Sequence, residues 1–473
     1  MDDDGEARLR RPTYDELLAD NRRLREELRA AHQRIAQLER QVEDLLRLVE
    51  KLRGEGKRQA APFRKQDQPM AEPKRPGRKS GRRHGPHAHR SEPSRIDETY
   101  RVPLPARCPH CGRGSLTPTD TAAQYQTEIP RQVIYRRFDV QHGLCQSCGR
   151  AVVGRHALMI STAGGAAASQ FGPNIHALLA AMNKECGLSH GKCVKLLATA
   201  FDGLEVSRGT SARSILRTAL RCERAYAEIR RDLRAARQVV PDETGWRVGG
   251  RSAWLHDFVG PRATCYVIDP TRSWRPAERL LGHDWAGTLV HDGWSVYDRF
   301  VAAAHQQCLG HLVRRCRGLL ETARGAAAGL PQGVLALVEE AYALRRLWRG
   351  HRLDRDRLAE AGLVLSRELD DLASGRFHSL ANRRLAAHLR AHALAWFWFL
   401  IDPTIDATNY RAEQALRPAV VNRKVWGGNR TWAGARAQAV LMSVLRTCAQ
   451  RLAPTFDFLV DALCLPRPQP LPA

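Results

Sequence analysis

Val239-Val240-Pro241-Asp242-Glu243-Thr244-Gly245-Trp246 is the stretch on which the reading of this chain turns. An apolar run meets carboxylates and then a glycine, the pattern of a buried strand whose end presents Asp242. A second stretch, Gly287-Thr288-Leu289-Val290-His291-Asp292-Gly293-Trp294, has the same form and closes on Asp-Gly-Trp. A third acid, Glu413, stands in Asn409-Tyr410-Arg411-Ala412-Glu413-Gln414-Ala415-Leu416-Arg417-Pro418. Two strands and one helix can bring these carboxylates together. Oxygen donors of this kind suit Mg²⁺ or Mn²⁺, ions that keep waters which phosphate oxygens can replace. Two such ions about 3.5–4 Å apart activate an attacking oxygen and stabilise a leaving one, and no protein nucleophile is needed. Asp242, Asp292 and Glu413 are therefore the candidate catalytic and metal-binding residues for phosphodiester chemistry. Glu243, Asp257, Asp269, Asp284 and Asp298 compete with them on spacing alone.

The surrounding pattern is α/β. Strands are expected at 238–241, 253–259, 264–268, 288–290 and 306–309, with Gly249-Gly250 and Gly260-Pro261 as turns. Helical segments between Leu312 and Ala395, including 335–349 and 358–373, read as an insertion between the second and third acids. Asp406 to Asn409 caps the helix of Glu413, and Pro418 should kink or end it. Arg417, Arg423 and Lys424 follow Glu413 closely enough to clamp DNA phosphates. Cys308 and His311 have metal-ligand spacing but too few companions for a zinc site, so packing is the favoured reading.

A chain of 473 residues calls for several domains. Its formal net charge of +25 points to a polyanion, most simply nucleic acid. The acidic start Met1-Asp2-Asp3-Asp4 is unlike a signal peptide, and no apolar run approaches the ~20 residues of a membrane span. The 12 cysteines, without secretory features, argue for thiols and a metal site in a reducing compartment.

Towards the N-terminus, residues 14–52 carry an a/d heptad seam from Leu17 to Leu52, which predicts a dimeric coiled coil. Residues 53–98 are basic and rich in Gly and Pro. Arg75, Arg78 and Lys79 there either touch phosphates without specificity or enter a minor groove. Cys108-Pro109-His110-Cys111 and Cys145-Gln146-Ser147-Cys148 supply four thiolates for one closed, structural Zn²⁺ site, with strand-like runs such as 131–135 between them. Helices are expected at 173–184 and 189–201, and a third from about Ser207 to Arg237. Its start, with Arg208 and Arg213, suits either a helix-turn-helix that contacts DNA or a helical packing module.

Several stretches together resemble the transposases of the insertion sequence 66 family. They are Asp242 to Val248, His291 to Tyr297, Cys308 to Arg315, and Asn409 to Lys424 continuing to Trp426-Gly427-Gly428. The order of coiled coil, basic linker and CxxC pairs is that of the family too. Two departures stand out: a longer Asp406-Ala407-Thr408-Asn409-Tyr410 run before the glutamate, and Leu309-Gly310 before His311. The resemblance implies a multidomain α/β protein whose ribonuclease-H-like catalytic core carries a DDE triad at Asp242, Asp292 and Glu413. It implies cutting at the terminal inverted repeats of an element and joining of the 3′-hydroxyl to target DNA. Small accessory proteins of the same element and a bacterial, nucleoid-associated cytoplasmic setting are implied as well.

The expected order is a coiled coil over 1–53, a basic linker over 54–100, a zinc-ribbon-like module over 101–156 and a helical module over 165–237. The core then occupies 238–320 and 401–450, with the helical insertion at 321–400 and a tail at 451–473. The same modules also fit a non-catalytic zinc-containing DNA-binding regulator, and the same acids a metal-dependent nuclease that cuts without joining.

Overall fold

In the computed structural model the described residues are 92–114, 116–163, 170–464 and 470–472, with scattered helical positions between 19 and 38. Among those positions Leu28 and Leu38 are exposed. The rest of the predicted coiled coil, and Arg75, Arg78 and Lys79 of the basic stretch, lie outside the described residues. The chain divides into two compact units, Met1–Tyr125 and Gln126–Ala473. In the first, Cys108 to Arg113 forms a tight turn, with Gly112 N–H donating to Cys108 O at 2.8 Å.

The second unit begins with β1 (His142–Leu144) and β2 (Ala151–Val153), an antiparallel pair bracketing Cys145 and Cys148. The strand expected at 131–135 is not formed. Val133 instead packs against a small helical core, and the Tyr135 hydroxyl donates to Gly203 O at 3.1 Å, so side-chain docking replaces a ladder.

Four helices follow: α1 (Pro173–Lys184), α2 (His190–Ala200), α3 (Arg208–Arg221) and α4 (Glu223–Arg234). Ser189 and Ser207 cap α2 and α3 through their hydroxyls, as their residue type favours. The single long helix expected from Ser207 is thus broken at Cys222, which leaves helical geometry at ψ 1°. The break lets α3 pack on α1 while α4 buries Tyr226, Ile229 and Leu233 towards the sheet.

The sheet runs β3 (Gln238–Val248), β4 (Arg251–Val259), β5 (Thr264–Asp269), then, after α5 (Arg275–Leu281), β6 (Thr288–His291) and β7 (Ala304–Gln307). Its spatial order is β5-β4-β3-β6-β7. The first three strands are antiparallel, while β6 and β7 run parallel to β3. Alternate residues face opposite sides. Val239, Phe258, Cys265 and Leu289 join a core with α1, α3 and α4, whereas Val240, Val259, Tyr266 and Val290 face another. The last strand sits two residues earlier than expected, because Cys308 caps α6 (Leu309–Thr322).

α6 opens the insertion, which continues as α7 (Gly329–Arg349), α8 (Arg355–Ala373), α9 (Leu380–Ala391) and the short α10 (Trp398–Ile401). It has its own core, in which Trp396, Phe397, Phe399 and Leu400 are buried. The chain returns through α11 (Tyr410–Trp426) and α12 (Trp432–Gln450). α11 continues through Pro418 rather than ending there. Ala412, Ala415, Leu416 and Ala419 pack it on the sheet, which outweighs the single backbone bond that proline removes. The segment expected as a tail holds α13 (Thr455–Cys464), whose Phe458, Leu459 and Ala462 join the main core.

Candidate active site

Asp242 lies within β3, not at its end. On one side the ladder to β4 passes through it, pairing Asp242 with Asp257 and running on to the Gly249-Gly250 turn. On the other side the ladder to β6 stops at Val239 and Leu289. Its register sets Gln238 beside Thr288 and Val239 beside Leu289. Continued along both chains, that register brings Asp242 level with Asp292. Both residues share the parity of Val240 and Val290, and so the sheet face on which α11 packs. The site stands where β3 and β6 part, at the carboxyl end of the parallel pair, a recurrent place for ligand sites in α/β sheets.

Glu413 reaches this face from the first turn of α11. The turn is held from below by Gln238: its Nε2 donates to Asp406 Oδ2 at 2.7 Å, and its Oε1 accepts from the Asp406 N–H at 3.0 Å. Leu309 N–H donates to Ala407 O at 3.0 Å, which ties the same run to the end of β7. Asn409 is the N-cap, so the longer run before the glutamate still opens the helix one residue after the asparagine.

Asp242 feels the acids around it. Burial, then Glu243, then Asp292 and Glu413 push the Asp242 carboxyl up to about 8, against the Glu243 N–H that donates to it at 2.8 Å. Asp257, wholly buried with neither carboxyl oxygen partnered, is raised well above the carboxylate range by burial and by Asp242. Asp292 is exposed and accepts from the Trp294 N–H at 3.0 Å. Glu413 accepts from Arg314 Nη2 at 3.2 Å and lies 3.9 Å from His311 Nε2. Burial and Arg314 hold His311 below the usual imidazole range, opposed by Asp292 and Glu413.

Hard oxygen donors, crowded enough to raise one of their own number, are chemically suited to a divalent cation of the Mg²⁺ type. Among the described residues, however, no three His, Cys, Asp or Glu side chains converge closely enough to hold a metal ion as they stand.

Residues outside the predicted set shape the site. Arg272 donates through Nε (2.9 Å) and Nη2 (2.6 Å) to Glu243 Oε1. Its guanidinium carbon lies 4.9 Å from the Trp254 ring and 4.3 Å from the Trp294 ring. One side chain thus balances the acid beside Asp242 and stacks on the loop of Asp292. Nothing local in Thr271-Arg272-Ser273 marks it; only Trp294, at the close of the second acid-bearing stretch, left a trace.

Behind Asp292, the Gly293 N–H donates to His291 Nδ1 at 3.2 Å, leaving the ring proton on Nε2, which faces His305 Nδ1 at 3.1 Å. Gly293 has φ +92°, and a Cβ there would come within 2.9 Å of Gln307 Oε1 and 3.1 Å of the His388 ring, so the loop requires glycine. Gly428 is needed for another reason: a Cβ there would meet Arg247 O at 2.3 Å where α11 hands the chain back along β3.

Of the predicted DNA-contacting residues, Arg208 and Arg213 are exposed on the first turns of α3, and Arg417 and Lys424 are exposed on α11. Arg423 turns inward. It donates to Thr244 Oγ1 at 3.0 Å and to Gly245 O, fastening α11 to β3. Each CxxC pair forms its own knuckle. The backbone N–H of Cys111, then that of His110, holds the Cys108 thiol low, as those of Cys148 and Ser147 do for Cys145.

No curated protein matches the chain. No helix among the described residues is long and apolar enough to cross a membrane. The model of one family, described as Transposase IS66 family, matches residues 168–437, which takes in Asp242, Asp292 and Glu413. Since the match covers more than half of the 473 residues, the chain belongs to the insertion sequence 66 family of transposases.

Proposed function

We propose that this transposase cuts the ends of an insertion sequence and joins them to target DNA through a DDE mechanism, with Asp242, Asp292 and Glu413 as the catalytic acids of a ribonuclease-H-like core. The observation that carries this reading is the parallel register of β3 and β6, which, extended past its last pair at Val239 and Leu289, sets Asp242 level with Asp292, while Glu413 stands in the first turn of α11, the helix packed on that sheet face. The strand order β5-β4-β3-β6-β7, with an antiparallel trio and two parallel additions, supports the fold assignment.

Asp242, Asp292 and Glu413 would hold the divalent cations, which when bound supply Lewis acidity at the scissile phosphate. The protein's part is positioning. Gln238 and Arg423 set the height of α11 over the strands, Arg272 keeps the Asp292 loop against β3, and Arg314 is placed to exchange Glu413 for a phosphate oxygen. Cleavage breaks the P–O3′ bond at the element end, water providing the new oxygen. The freed 3′-hydroxyl then attacks a target phosphorus and displaces its 3′ oxygen. Cys108, Cys111, Cys145 and Cys148 are the proposed structural zinc ligands, supported by their two knuckles. Residues 14–52 are the proposed dimerisation segment that brings two ends together.

The test is to incubate labelled terminal-repeat duplex with wild type or Asp242→Asn in Mg²⁺. Wild type should release a 3′-hydroxyl end that then joins a plasmid. Asp242→Asn should lose both steps by at least about 10³-fold, the scale on which one member of a catalytic set acts. Cleavage without joined product would reduce the assignment to a nuclease.

A further inference from the structure

Away from the acids, at the far end of the β3–β4 hairpin, a cavity of about 670 Å³ opens to solvent. Four arginines line it, each from a different element: Arg230 of α4, Arg251 of the hairpin, Arg279 of α5 and Arg436 of α12. Only one carboxylate, Asp269, stands among the lining residues, and it is already paired with Arg279. Arg436 is held by Glu223, at 3.0 and 2.5 Å. Among the described residues no carboxylate pairs with Arg230 or Arg251. Arg230 is instead oriented by donating from Nη2 to Arg279 O at 2.9 Å. The Trp432 indole, 50% exposed, forms part of the wall.

Two guanidiniums without a carboxylate partner, both lining one cavity, favour an anion there. Their planar donor forks match phosphate oxygens, and the exposed indole offers a face for a sugar or an unstacked base. From this geometry we infer that the cavity is a second DNA site, which grips a backbone phosphodiester at a distance from the reacting one. This rests on the transposase reading and deepens it. β3 joins the two places: from Asp242 to Val248 it spans roughly 20 Å at about 3.3 Å per residue. A strand following that course at about 3.4 Å per nucleotide would place the gripped phosphate some six nucleotides from the scissile one.

Either the element end or the target could supply that phosphate, and the experiment separates them. Fluorescence anisotropy is followed against salt for a terminal-repeat duplex and for an unrelated duplex. The proteins are wild type, Arg251→Ala, Arg230→Ala/Arg251→Ala, and the control Arg357→Ala on α8. Arg251 is an exposed residue at the start of β4, so its variant keeps the test open if the double variant folds poorly. The slope of log K against log salt should fall by about one for Arg251→Ala and about two for the double variant, while the control keeps the wild-type slope. A fall on terminal-repeat DNA alone assigns the cavity to the element end, on unrelated DNA alone to the target, and on both to a phosphate grip shared by the two. Unchanged slopes on both duplexes, or an equal fall in the control, overturn the inference. Loss of the transposase reading looks different: wild type then binds DNA yet gives no joined product, whatever the slopes.

Discussion

At the scale of single residues, Asp242 and Asp292 stood out in the sequence because each follows an apolar run, and Glu413 by its place just after a capped helix start, but the groups packed around them did not. Arg272 stands 29 residues from Glu243 in the chain, and no local pattern announces a pairing made across strands. Its removal leaves Glu243, 4% exposed, without its cation. Arg272→Ala should therefore cost about 1–3 kcal/mol in urea unfolding, less than a fully buried pair because Arg272 itself is 43% exposed. Pairing that change with Glu243→Gln should recover part of the loss, and strictly additive costs would count against the clamp. Lys184 gives a test with pH. Burial pushes its amine down to about 7, and its Nζ donates to Gln438 Oε1 at 2.6 Å. The folded chain releases this proton near 7 and the unfolded chain near 10.5, so between those values the unfolded state binds more protons. Stability should rise with pH across that window, by at most about 1.4 kcal/mol per pH unit, and Lys184→Met should remove the rise. Parallel stability curves for the two proteins from pH 7 to 10 would contradict the assignment.

The elements were read best where one periodicity ruled. α1 begins and ends where its apolar spacing predicted, and α2 lies between its serine cap and Phe201. Misreadings came where tertiary packing chose between local options. The break at Cys222 and the passage of α11 through Pro418 both follow from which surface each half must cover. β3 outran its expected end because the Gly249-Gly250 turn recruits Asp242 to Val248 into a hairpin, which no count of apolar residues reveals. The sheet's outer strand shows a related device. Among the described residues β5 has no strand beyond it, and α12 covers its edge: Ser443 Oγ accepts from the Tyr266 N–H at 2.8 Å and Thr447 Oγ1 from the Thr264 N–H at 3.1 Å. Ser443→Ala and Thr447→Val each strand a buried amide and should cost about 1–3 kcal/mol by urea unfolding. A change below about 0.5 kcal/mol in both would show that the helix covers the edge by packing alone.

At the scale of the whole molecule, the acids are drawn from segments separated by the entire insertion. Their meeting could be expected from the sequence only through family resemblance, since spacing alone left five rival acids. The structure adds a β3–β6 register that, extended, brings Asp242 level with Asp292, and an Asp242 carboxyl raised in part by Asp292 and Glu413. For the zinc proposal, Cys108→Ser should lower bound zinc by one equivalent per chain in elemental analysis of the purified protein, and unchanged zinc content would remove that assignment. The proposed mechanism requires that Asp242, Asp292 and Glu413 act as one unit. It is tested most directly by Mg²⁺-dependent joining of labelled terminal-repeat DNA to a plasmid, measured for wild type, Asp242→Asn, Asp292→Asn, Glu413→Gln and the Asp242→Asn/Glu413→Gln pair. Joined product should come from wild type alone, with each single variant down at least about 10³-fold and the pair no worse than either, because members of one catalytic set are not additive. Joining by any single variant within about tenfold of wild type would contradict it.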